Sequence, residues 1–164
     1  MDHASPQART TVHLQYRMIH NIYVLLDDGD RRVLQPFGLT LPQYRVLKAL
    51  DEEHDLRLTT LSAVLLRAKS TITRLVDQLE RDGLVARTSD ADDRRAQRLA
   101  LTPAGAELLQ QARAAHENAI AYRFNQAIIA SEQAQFSDLL TKLHDSLVDT
   151  LDTLGPANGW RPGP

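Results

Sequence analysis

Cysteine is absent from the 164-residue chain, which excludes a disulfide framework, a thiolate metal site and thiol-based redox sensing. Long apolar runs are absent too. Nowhere do about 18 apolar residues follow one another, the usual minimum for a spanning helix, and no charged leader with an apolar core opens the chain. The expectation is a soluble, cytoplasmic protein with no membrane partner. No glycine-rich phosphate loop or nucleophile elbow frames the serines, histidines and aspartates, so no catalytic residue is assigned and no cofactor is expected. A large excess of positive charge is also lacking, the formal net charge being −2. The charges are unevenly placed, however. Arg67 to Arg98 holds eight basic and six acidic residues, a local basic footprint in an otherwise acidic chain.

What is present is organised around residues 69–102. Ile72, Leu75, Val76 and Leu79 fall at i, i+3, i+4 and i+7 and predict a helix with one apolar stripe. Its other face carries Ser70, Thr73, Arg74, Asp77 and Arg81, donors suited to a major groove. Asp82-Gly83 stops it. Leu84–Arg87 and Gln97–Leu101 are strand-like around turn-forming residues 89–93, which predicts a hairpin. Upstream, Arg9 to about Gln35 reads as a long helix with Leu14, Met18, Ile22, Leu25 and Leu26 on one side, ended by Pro36-Phe37-Gly38. Thr40-Leu-Pro-Gln43 has the form of a capping box for a helix to about Glu53, and Thr59 is placed to cap a short helix with Leu61, Val64 and Leu65. Downstream, Thr102-Pro103 opens a long helix to about Ile129. Ser131 is placed to cap a last helix, whose seam of Phe136, Leu140, Leu143, Leu147 and Leu154 seeks a partner helix.

This order of elements, with LTLPQYRVLKAL at 39–50, KSTITRLVDQLERDGLV at 69–85 and DDRRAQRLALTPAG at 92–105, resembles the MarR family of winged helix-turn-helix regulators. The resemblance implies a mainly α fold: an N-terminal dimerisation helix (1–36), a winged helix-turn-helix DNA-binding domain with a small β-hairpin wing (37–102), C-terminal dimerisation helices (103–154) and a flexible tail (155–164). It implies a homodimer on a pseudo-palindromic double-stranded DNA operator, probing the major groove with the recognition helix and the minor groove with a wing-tip arginine. In Asp93-Arg94-Arg95, Arg95 takes that role and Asp93 orients it. One departure stands out: where the family has glycine, an apolar residue and a capping serine in the helix-turn-helix turn, this chain has Leu66-Arg67-Ala68.

Ser70, Thr71, Thr73 and Arg74 are the candidate base or phosphate contacts, Lys69 a phosphate contact, and Arg94 and Arg95 the wing contacts. A carboxylate facing DNA repels phosphate, so Asp77 is assigned to restraining Arg74, Arg81 or a wing arginine. The stripe His13, Tyr16, His20 and Tyr23 supports two readings. One is packing at the dimer interface; the other is a wall of an effector pocket closed by Tyr44 and Arg45, which the resemblance favours for a small aromatic or anionic effector. The expected function is a transcriptional regulator, a repressor released from its operator by that effector. The alternatives are a ligand-independent architectural DNA-binding dimer and a metal-responsive regulator; for the latter, His13 and His20 are candidate ligands with His116 and Glu117 adding to them from another helix, and no tight His-x-x-x-His pair supports them.

Overall fold

The computed structural model describes residues 6–53, 56–89 and 97–154. Helix α1 spans Pro6–Leu34 and runs into a single 3-10 turn, Gln35–Phe37. Gly38 closes it in the left-handed region at φ 67°, with its amide on the Gln35 carbonyl (3.0 Å) and the Leu39 amide on that of Leu34 (3.4 Å). This paired bonding satisfies carbonyls that a helix end otherwise leaves orphaned. Helix α2, Leu41–Glu52, starts on the expected capping box, the Thr40 hydroxyl accepting from the Gln43 amide and the Gln43 side chain accepting from the Thr40 amide.

Strand β1, Leu56–Arg57, precedes α3, Leu58–Val64. The sequence did not indicate β1, since two residues carry no period. Its presence also corrects the expected cap: Arg57 leaves the strand in an extended conformation as the N-cap of α3, without a side-chain bond, and Thr59 lies inside the helix. Helix α4, Lys69–Arg81, leads to the hairpin β2, Val85–Ser89, and β3, Gln97–Leu101. All pairings are antiparallel in the order β1-β3-β2, with Leu56 opposite Leu99 and Val85 opposite Leu101.

Thr102 caps α5, Pro103–Ala127, by accepting the Gly105 amide at 3.0 Å, and its hydroxyl donates to the Gly83 carbonyl at 2.7 Å. Helix α6 spans Ala130–Leu154. Ser131 lies within it; at its start the Ile129 amide meets the Glu132 carboxylate instead (3.4 Å).

One core joins these parts. Leu47 and Leu50 of α2, Leu61 of α3, Ile72, Val76 and Leu79 of α4 and Leu99 of β3 are fully buried, together with Leu34 from α1 and Leu109 and Ala112 from α5. The stripe read from α4 is therefore its core face, Leu75 being partly covered. By contrast, residues 10–25 of α1 are all exposed, Leu14, Met18, Ile22 and Leu25 included, and so are Leu140, Leu143 and Leu147 of α6. No helix among the described residues is long and apolar enough to cross a membrane.

Candidate nucleic-acid interface

Helix α4 buries Ile72, Val76 and Leu79 and turns Lys69, Ser70, Arg74, Gln78 and Arg81 outward, with Thr71 and Thr73 half-buried at the edges. The Thr73 hydroxyl donates to the Lys69 carbonyl at 2.9 Å, so its oxygen still accepts. The turn that aims this face has an unusual backbone. Leu66 adopts φ 53°, the one positive φ outside glycine among the described residues. The Leu66 amide bonds the Ala63 carbonyl (3.1 Å) and the Arg67 amide that of Ser62 (3.1 Å), the same pattern that Gly83 makes at φ 74° after α4. A leucine thus occupies a site where a Cβ costs about 1–2 kcal/mol, and the Leu66-Arg67-Ala68 turn closes α3 with the same bonding as the Gly83 turn that ends α4. Ala68 follows as N-cap with no side-chain bond.

Asp77 bonds Arg87 of β2, and the other guanidinium nitrogen of Arg87 donates to Glu80 at 2.7 Å. Arg87 thereby ties the hairpin to α4 and offsets half the charge of its two carboxylates. Sequence reasoning considered a wing arginine for Asp77 but missed Glu80; the i, i+3 spacing of the two acids before an arginine-bearing strand was the available signal. Asp93, Arg94 and Arg95 lie outside the described residues. The strands flanking them are paired as far as Ser89 and Gln97.

The structure does not gather the six effector candidates. His13, Tyr16, His20 and Tyr23 are exposed on α1, Tyr16 by 71%. Tyr44 is 3% exposed and its ring lies against His116, centroids 5.0 Å apart; burial pushes its hydroxyl pKa above the ordinary value. Arg45 borders a cavity between α2 and α4 instead.

Around Tyr44 and His116, which the sequence singled out for separate roles, stands a polar junction whose ion pairs no sequence signal marked, because their members are far apart in the chain. Arg113 of α5 donates to Asp51 of α2 at 2.7 Å, and Arg123 to Asp30 of α1 at 3.0 Å. The Asp51 bond raises the already high Arg113 pKa. His116 Nε2 lies 3.2 Å from the same Asp30 oxygen but is not aligned for a hydrogen bond. Arg113 Nε, His116 Nε2 and Arg123 Nη2 are buried without a hydrogen-bond partner. Among the described residues no three histidine, aspartate or glutamate side chains gather as a metal cage, and His13, His20 and His116 do not come together as one.

Two short helices joined by a tight turn, the second presenting hydroxyls and arginines and clamped to an antiparallel hairpin, define a winged helix-turn-helix. The MarR family model matches residues 39–96. The chain is 30% identical to a MarR family protein from Bacillus stearothermophilus, whose structure superposes with a TM-score of 0.72 over 88% of this chain and 99% of that one. The chain belongs to the MarR family. It is also similar to a mutant MarR from E. coli complexed with operator DNA (25% identity, TM-score 0.73, 81% of this chain and 95% of that one). Among curated relatives, the HTH-type transcriptional regulator YsmB of Bacillus subtilis is 32% identical over 95 residues, 58% of this chain. That match spans 65% of YsmB, and those to the next curated relatives span 51% and 61% of their lengths.

Proposed function

We infer that this MarR-family chain is a transcriptional regulator that binds duplex DNA as a homodimer and represses until a small molecule releases it. The observation that carries the DNA reading is the outward face of α4, with Ser70, Thr71, Thr73 and Arg74 presented over a rigidly buried stripe and Lys69 at its start. The E. coli relative bound to operator DNA supports the same use of this fold. In this reading Arg94 and Arg95 extend the contact from the wing, with Asp93 orienting Arg95 and Asp77 acting through Arg87. Residues 37–102 then form the DNA-binding unit and the helices on either side the dimer. The apolar side chains exposed on α1 and α6 support that pairing, and the stripe His13–Tyr23 packs within it.

Binding of a fluorescent operator duplex, selected from genomic fragments, tests this. Affinity is expected to fall steeply with salt as counterions are released, and Arg74→Ala to weaken it about tenfold or more with dimer and helix content unchanged. Affinity indifferent to salt overturns the DNA reading.

The unpartnered nitrogens Arg113 Nε and Arg123 Nη2 favour an anionic aromatic effector at the junction of α1, α2 and α5, since a buried donor without an acceptor costs about 1–3 kcal/mol and a carboxylate supplies the acceptor. Release by a panel of aromatic carboxylates is expected to disappear in Arg123→Gln with ligand-free DNA affinity retained. Undiminished release in that variant places the effector elsewhere, and no release by any of the panel removes the anionic-effector reading.

A further inference from the structure

A cavity of about 320 Å³ opens beside the recognition helix, floored by apolar groups that include Pro42, Ile72 and Leu75 and rimmed by Arg45 of α2, Arg67 of the turn and Arg74 of α4. Three elements thus border a single opening with one arginine each. Arg31, Arg32, Arg87, Arg113 and Arg123 each hold a carboxylate within 3.0 Å, whereas Arg45, Arg67 and Arg74, like Arg17 and Arg81, have no ion-pair partner among the described residues. What sets the three apart is that they line one opening. In a chain with more acidic than basic side chains, three exposed arginines without a carboxylate partner border one opening.

We propose that Arg45 and Arg67, with Arg74, form a seat for the DNA backbone, a set of sugar-phosphate contacts on the flank of α4 additional to those read from the helix and wing. The inference rests on the DNA reading above. Guanidinium groups are suited to it, as their planar fork meets phosphate oxygens in pairs while the aliphatic stem lies on an apolar floor. It moves Arg45 from the effector candidates to the DNA face. It also gives the Leu66 backbone a purpose: the left-handed residue turns the chain so that Arg67 emerges at the rim.

The test measures anisotropy of two fluorescein-labelled 30-base-pair duplexes, one carrying the selected operator and one unrelated in sequence, with the full chain at several salt concentrations. Arg45→Gln and Arg67→Gln are each expected to lower the slope of log affinity against log salt by about 1 and to weaken both duplexes by the same factor. Arg45→Lys keeps the charge and should keep the slope, and Lys142→Gln on α6 should change nothing. Thermal melting checks that each exposed-site variant is folded. Unchanged slopes in Arg45→Gln and Arg67→Gln while Arg74→Gln weakens binding overturn the seat and leave the DNA reading standing. A loss confined to the operator duplex with the slope intact also overturns it, because that is base reading. If the unaltered protein binds neither duplex, the DNA reading fails and takes the seat with it.

Discussion

Two backbone positions set the geometry at the scale of single residues. A Cβ on Gly105 would lie 2.0 Å from the Leu84 carbonyl oxygen, a contact with backbone that no rotamer change relieves. Gly105→Ala is expected to destabilise the fold by about 3 kcal/mol, read as a lower urea midpoint. At Leu66 the φ of 53° inverts the usual ranking of small residues: Leu66→Gly should be more stable than Leu66→Ala by about 1 kcal/mol in urea melts, whereas glycine in a helix interior loses to alanine. Gly29 differs from both. A Cβ there would meet only the end of the Arg123 side chain, 2.6 Å away, which can swing aside. Tyr44 adds a pH dependence. Its pKa is raised in the fold by burial, so the protonated phenol is favoured by folding; that stability is complete below the ordinary tyrosine value near 10 and is lost as pH rises through the higher folded value. Urea midpoints should fall above about pH 10, and Tyr44→Phe should flatten that part of the decline.

Between elements, the decisive contact is the Arg87 bridge from β2 to Asp77 and Glu80 of α4. The carboxylates are more than a third exposed, so solvent screens the bridge and its contribution to stability is roughly 1 kcal/mol at most. Its larger effect is electrostatic. Arg87→Ala uncovers two negative charges on the helix proposed to face phosphate, and DNA affinity should fall well beyond the change in melting temperature. Asp77→Asn in the same chain should recover part of it, and failure to recover any would show that Arg87 acts only by fixing the hairpin's position. The last helix supports a separate prediction. With Leu140, Leu143 and Leu147 exposed, deletion of residues 130–164 should convert a dimer to a monomer by light scattering; a stable dimer after deletion removes that role from α6.

Across the whole molecule, a symmetric dimer expects half-sites about 10 base pairs apart between centres, and moving them by half a turn should abolish tight binding in the same anisotropy assay. The sequence by itself determined much of this plan. Helices with a period near 3.6, the Thr40 and Thr102 caps and the hairpin were legible because each depends on residues within a few positions of one another. So was the exposed face of α4, since a stripe that must be buried leaves the opposite side to solvent. Ends lacking a local signal were misread: Thr59 and Ser131 were suitable caps by type, but the chain enters those helices one to two residues earlier. Only the tertiary structure decided the rest. It paired Leu56 with Leu99, joined Leu34, Leu109 and Ala112 to the winged-helix core, brought Asp30 to Arg123 and placed Arg45 beside Arg67 and Arg74. These partners lie tens of residues apart, and nothing in local periodicity encodes which distant side chains share a space. The recognition helix was visible from its own residues; the cations and carboxylates that surround it were selected by packing.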